Sequence, residues 1–151
     1  MRELKIISHR GNINGPNPGW ENSPSYIDRA IALGFEVEID LRCDDGQFFL
    51  GHDGPDHAIT PEWLVDRCDK LWIHCKDLES CIVLTAANAG FRFFSHSQDP
   101  FVMISNGCIW VHDLSNDISG PCIIPLITKE QLSRRDLYRP YGICTDFPTC
   151  I

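Results

Sequence analysis

Short apolar runs alternate with stretches of helical spacing along the chain, and no linker or low-complexity segment separates them. Residues 4–8 form an apolar run that predicts a first strand. A loop rich in Gly, Pro and Asn follows over 11–19. Ser23-Pro24 reads as an N-cap with proline at the first helical position. Ile27, Ala30 and Ile31 then recur at helical spacing, and Gly34 is placed to end that helix. Residues 35–41 alternate strictly: Phe35, Val37, Ile39 and Leu41 are separated by Glu36, Glu38 and Asp40, which is the period of a strand. Asp45-Gly46 is a hairpin turn leading into 47–50. Thr60-Pro61 opens a helix carrying Leu64, Val65 and Cys68, and 71–73 is a strand. Asp77 caps a helix with Leu78, Cys81, Ile82 and Thr85 on one face, ending at Gly90. Residues 91–94 read as a strand, while 101–104 and 108–111 are apolar runs too short for helices. Residues 122–126 are a further strand, Thr128 and Gln131 have capping-box spacing for a short helix, and 142–145 is the last strand.

Strands alternating with helices predict an α/β fold with a parallel sheet. Seven or eight strands outside the hairpin suit a closed barrel better than a small open sheet. A (β/α)8 TIM-type barrel takes about 250 residues, and this chain has 151. The connections between 95 and 122 are too short for full helices. The expectation is one domain over 1–151, a small, trimmed (β/α)8 barrel with some helices missing in its second half.

Composition narrows the function. With 43% hydrophobic and 23% charged residues the balance is globular. Lys and Arg number 13 against 21 Asp and Glu, a net charge of −8. That lacks the basic footprint of a nucleic-acid protein and disfavours docking on anionic membranes. No apolar run approaches the ~20 residues of a membrane-spanning helix. Residues 1–7 reach polar positions too soon for a secretion signal. We therefore expect a soluble cytoplasmic protein with no nucleic-acid partner and no membrane insertion. The eight cysteines sit mostly in apolar runs and form no Cys-x-x-Cys pair, so they read as reduced, small core residues.

Candidate chemistry gathers where strands end: His9-Arg10 after the first, Glu38 and Asp40 in the second, His74 and Lys76 ending the third. His96 and Asp146 follow later strands. Catalytic residues of α/β barrels collect at the carboxyl ends of strands. Glu38 and Asp40, at i and i+2, face one way. Two adjacent carboxylates repel unless a cation lies between them, and oxygen ligands suit magnesium or calcium. The same alternation also fits a half-exposed strand with a solvated acidic face. His9 beside Arg10 has the makings of a general base next to an anion clamp, with Gly11 allowing close backbone approach. His52-Asp53 pairs an imidazole with a carboxylate suited to general-acid work; taken alone, His9 also reads as a surface histidine and His52 as a loop histidine. Trp63 and Trp72 read as core. Trp20 and Trp110 either wall a pocket or pack inside, and His57 and His112 read as ordinary loop histidines.

Taken in order, His9-Arg10-Gly11, Glu21-Asn22-Ser23, Glu38-Ile39-Asp40-Leu41, Asp45-Gly46 and His52-Asp53 resemble the glycerophosphodiester phosphodiesterase family. Its pattern is H-R-G, E-N-T, E-x-D, D-G and H-D. Ile73-His74-Cys75-Lys76 is similar to that family's E-x-K strand, and Ile143-Cys144-Thr145-Asp146-Phe147-Pro148 to its closing I-x-T-D-x-P strand. The resemblance implies a (β/α)8 barrel, a place in lipid metabolism and metal-assisted hydrolysis of a small glycerophosphodiester-like substrate. It implies His9 as general base, His52 as general acid, and Arg10 and Lys76 as phosphate holders. Glu38 and Asp40 would bind the metal, with His74 at the third position. Glu21, Asn22 and Trp110 would support the metal or orient substrate. One divalent ion is implied: magnesium, manganese or calcium, with zinc admitted because His74 stands where the family has Glu. The alternative is a non-catalytic barrel that binds metal or phosphate. The oligomeric state is open, a homodimer burying the bare flank being one outcome.

Overall fold

A computed structural model describes residues 3–151. Met1 and Arg2, where the N-terminal stretch read above begins, lie outside the described residues. In chain order the elements are β1 (Lys5–His9), α1 (Pro24–Ala32), β2 (Glu36–Asp44), β3 (Gln47–Leu50), β4 (His57–Ile59), α2 (Pro61–Val65) and β5 (Leu71–Cys75). There follow α3 (Leu78–Ala87), β6 (Phe93–Phe94), β7 (Phe101–Met103), β8 (Ile109–Val111), β9 (Cys122–Pro125), α4 (Lys129–Ser133) and β10 (Gly142–Thr145).

Seven strands pair in parallel in the order β6-β5-β2-β1-β10-β9-β8. The two ends of this ladder meet, because Phe94 on β6 stacks on Trp110 on β8 with ring centroids 4.6 Å apart. The sheet is therefore curled, with an open seam between β6 and β8. One backbone bond near that seam runs from Ser105 N–H to the Phe93 carbonyl (2.9 Å). This fits a trimmed barrel with seven parallel strands rather than eight. The run at 101–104 is β7, which pairs antiparallel with β8 instead of joining the parallel ladder. β3 and β4 add an antiparallel hairpin to the far end of β2. Among the described residues no α-helix lies between α3 and α4, so the second half of the sheet lacks the covering of the first.

Helix ends follow local chemistry. Thr60 and Asp77 cap α2 and α3 by accepting from Trp63 N–H and Ser80 N–H, and Thr128 and Gln131 form the full capping box of α4. Ser23 occupies the cap position of α1 without a side-chain bond, leaving Pro24 to set the helix start. The face expected for α3 is wrong: Ser80 and Leu84 are buried, whereas Leu78 and Ile82 are exposed. That helix is apolar nearly all round, so spacing alone does not mark its buried side. It also ends before Gly90, at Asn88 in the left-handed conformation.

Apolar side chains fill both faces of the sheet. Ile7, Trp72, Phe94, Trp110, Ile123 and Cys144 pack inside the curl. Ile27, Ile39, Leu41, Leu64, Ile73 and Leu84 pack between the sheet and α1 to α3. Five cysteines, 43, 75, 108, 122 and 144, are buried as small apolar residues, and Cys150 is exposed. The acidic face of β2 is not solvated. Glu36, Glu38 and Asp40 are buried, because β2 has parallel neighbours on both edges and its alternating face turns into the curl. At one end Glu36 bonds Lys5 Nζ (2.8 Å), Trp72 Nε1 (2.7 Å) and Arg92 Nη1 (2.8 Å), closing that mouth. No described helix is long and apolar enough to cross a membrane.

Candidate active site

At the carboxyl ends of the strands the register brings the polar residues together. His9 on β1 pairs with Glu38 on β2, and Asp40 on β2 pairs with His74 on β5. After β1 the chain enters the left-handed region at Arg10 (φ 55°) and Gly11 (φ 89°). A Cβ on Gly11 would lie 2.8 Å from the Tyr26 ring, so glycine is required there. Asn22 is also left-handed (φ 62°). Such backbone costs about 1–3 kcal/mol per residue and persists only where surroundings impose it. Here they do. Arg10 N–H donates to the Glu38 carbonyl (2.9 Å), and Asn22 N–H to the Arg10 carbonyl (3.0 Å). Asn22 Nδ2 donates to Asp40 Oδ2 (2.9 Å), while its Oδ1 accepts Asp40 N–H (3.0 Å).

Glu38, Asp40 and His74 each offer a ligand atom, all within 4.8 Å of one another and all buried. His74 Nδ1 lies 3.3 Å from Asp40 Oδ1, Arg10 Nε 3.0 Å from Asp40 Oδ2, and Lys76 Nζ 3.9 Å from Asp40 Oδ1. Burial and the Asp40 charge push the Glu38 carboxyl above its ordinary range. Burial acts the same way on Asp40, but the nearby His74 and Arg10 and the Asn22 bond outweigh it and hold Asp40 well below the carboxylate range. Glu38 Oε2 and Asp40 Oδ1 are buried without a hydrogen bond in the protein. Two buried carboxylate oxygens without a hydrogen bond, beside an imidazole, fit a divalent cation that takes mixed oxygen and nitrogen donors.

His9 stands beside this cluster, its Nε2 3.9 Å from Glu38 Oε2. Its Nδ1 donates to Asp146 Oδ1 (2.7 Å), which also accepts from Asn12 Nδ2 (2.8 Å). Burial pushes the His9 imidazolium down, but Asp146 and Glu38 outweigh it and the net shift is upward. Arg10 Nη1 meets Glu21 Oε2 at 3.3 Å, and Asn12 Nδ2 also donates to Glu21 Oε1 (2.9 Å). His52 follows Gly51, whose N–H donates to the Asp40 carbonyl (3.1 Å). Arg42 donates to the carbonyls of Gly51 and His52, and His52 Nδ1 donates to Asp53 Oδ1 (2.7 Å).

A cavity of about 500 Å³ opens over these groups. His9, Arg10, Glu38, His52, His74 and Lys76 line one side, with Asp40 buried below. Phe94 and Trp110 lie buried at its other side, beneath His96 and His112. His96 stacks on His74 (4.4 Å between centroids) and meets His112 at 4.1 Å. Burial, with His74 and His112 nearby, lowers His96 to about 4, and burial lowers His112. His112 is thus a cavity residue and not the ordinary loop histidine expected. Trp110 reaches the cavity; Trp20 stands exposed and does not line it. The sequence reading missed Asn12 and the pairing of Asp146 with His9. The only available signals were Asn12 directly following His9-Arg10-Gly11 and Asp146 at a strand end.

No family model and no curated protein matches the chain. Among solved structures, a glycerophosphodiester phosphodiesterase from Agrobacterium tumefaciens superposes with a TM-score of 0.60 at 17% identity, over 97% of each chain. A Galdieria sulphuraria protein provisionally assigned the same name gives a TM-score of 0.46 at 13% identity, over 97% of this chain and 95% of its own. The first likeness establishes the architecture: the chain folds like a glycerophosphodiester phosphodiesterase.

Proposed function

We propose that the chain is a metal-dependent phosphodiester hydrolase, a short divergent member of the glycerophosphodiester phosphodiesterase family, acting on a small glycerophosphodiester-like substrate. One observation carries this reading. Two buried carboxylate oxygens without a hydrogen bond and an imidazole meet, at one cavity, the cations Arg10 and Lys76 and a His–Asp pair. Glu38, Asp40 and His74 would hold a divalent ion, whose chemistry is to offset the charge that develops on the phosphate oxygens. Magnesium, manganese and calcium are candidates, and His74 admits zinc.

The chain's own residues supply the rest. Arg10, oriented by Glu21, and Lys76 bind the non-bridging oxygens of the anionic diester. Because His9 Nδ1–H is committed to Asp146, Nε2 is its basic nitrogen and takes the proton of the attacking hydroxyl. As the new oxygen–phosphorus bond forms and the old one breaks, His52 gives a proton to the departing alcohol oxygen. Asp53 fixes His52 Nδ1 and leaves Nε2 for that transfer.

A second reading, a barrel that binds metal or phosphate without turnover, is favoured by the three basic groups already around Asp40. The two readings separate by experiment. In a hydrolase, His9→Ala and His52→Ala abolish turnover while keeping the fold and manganese affinity, and Glu38→Gln and His74→Ala weaken manganese binding by calorimetry. A binder shows the second effect and has no turnover to lose.

A further inference from the structure

The cavity has two unlike sides. One carries all the charge described above. The other presents His96, His112, Ser97, Pro125 and Ile127, and none of these is a carboxylate. Asp99, whose charge reaches His112, accepts from Ser97 N–H (3.0 Å) and does not line the cavity. His96 Nδ1 donates to the Ser97 carbonyl (3.3 Å), which leaves Nε2 to accept. Beneath them Phe94 and Trp110 are stacked on each other and buried, so little of either ring is open to the cavity they line. A quaternary ammonium needs an open Trp, Tyr or Phe face or a carboxylate. This side offers neither. It offers imidazole and hydroxyl groups and no carboxylate over an apolar floor, the surface that suits a group with several hydroxyls and no positive charge.

We infer that the side of the cavity formed by His96, Ser97 and His112 binds the second alcohol of the diester, and that it selects a neutral polyhydroxylated alcohol over a cationic one. This rests on the reading of the cavity as a phosphodiesterase site, which it deepens by naming the substrate class. His74 joins the two sides, facing Asp40 through Nδ1 while its ring stacks on His96. The alcohol is therefore held next to the phosphate.

The test compares glycerophosphoinositol with glycerophosphocholine, which share the glycerol phosphate and differ only in the second alcohol. Binding to the full chain is measured by calorimetry with manganese present, and hydrolysis by phosphorus NMR. We expect the inositol diester to bind at least about tenfold more tightly, the worth of one or two neutral hydrogen bonds. His96→Ala and His112→Ala should erase that preference, and His96→Gln, which keeps an acceptor, should restore part of it. Equal or tighter binding of the choline diester, an unchanged preference in both alanine variants, or no binding of either diester would overturn the inference. The two proposals fail separately. Polyol-selective binding without turnover of any diester sinks the hydrolase and leaves the selectivity standing. Turnover that favours choline does the reverse.

Discussion

Asp146 decides which nitrogen of His9 is basic. A carboxylate only accepts, so His9 Nδ1 carries the proton and Nε2 is left toward Glu38. Asp146→Asn would reverse that preference, because an amide can donate to Nδ1 and shift the proton to Nε2. We expect kcat/KM to fall by about 10²–10⁴-fold with the melting temperature nearly unchanged, as for triad carboxylates. An activity loss that merely tracks a loss of fold would refute the positioning role. Asn22 offers a second test, since it holds Asp40 from both sides. We expect Asn22→Ala to weaken manganese affinity by about 10–100-fold, the usual cost of removing a residue that orients a ligand. Titration of the folded variant would read this directly. At this scale the sequence was legible where motif neighbours lie close, as in His9-Arg10-Gly11 and Glu38-Ile39-Asp40. It was mute where the partner is remote: Asp146 lies 137 positions from His9, and nothing local announces their bond.

Strand β2 shows how far an element can be read from its own pattern. Strict alternation located the strand and put three acids on one face, but could not say whether that face met water. Its parallel neighbours on both edges, β1 and β5, decide this, and they are long-range facts. Within that face the acids divide the labour: Glu38 and Asp40 serve the cavity, and Glu36 closes the far mouth through Lys5, Trp72 and Arg92. Burial pushes Glu36 up, but those three partners outweigh it, so its folded value lies below the ordinary 4.5. The charged form therefore stabilises the fold at neutral pH, and that stability is lost as pH falls below about 4.5 and through the depressed folded value. We expect Glu36→Gln to cost about 2–3 kcal/mol at pH 7, because Arg92 is left without its carboxylate. The difference from the parent chain should shrink toward pH 3. Urea unfolding at both values checks the sign; an equal deficit at each would contradict it.

For the whole molecule, strand count and short connections were enough to forecast a reduced barrel. They could not reveal the seam, where β6 and β8 face each other through Phe94 and Trp110. Nor could they reveal that the run at 101–104 leaves the parallel order to form the antiparallel β7. Both depend on where chain ends of the sheet meet, which no local period encodes. Trp110 thus joins the ends of the ladder as well as flooring the cavity. We expect Trp110→Ala to destabilise the chain by about 3–5 kcal/mol, as for other buried aromatic truncations, measured by thermal or urea unfolding. Folded around that seam, the molecule brings Glu38, Asp40, Arg10, Lys76, His9 and His52 to one mouth. The most direct measurement is phosphorus NMR on a set of glycerophosphodiesters, with magnesium, manganese, calcium or zinc added in turn. We expect a phosphomonoester or cyclic phosphate to appear only with metal, and to be absent with folded His9→Ala. A folded parent chain that converts none of them with any of the four metals would contradict hydrolysis as its function.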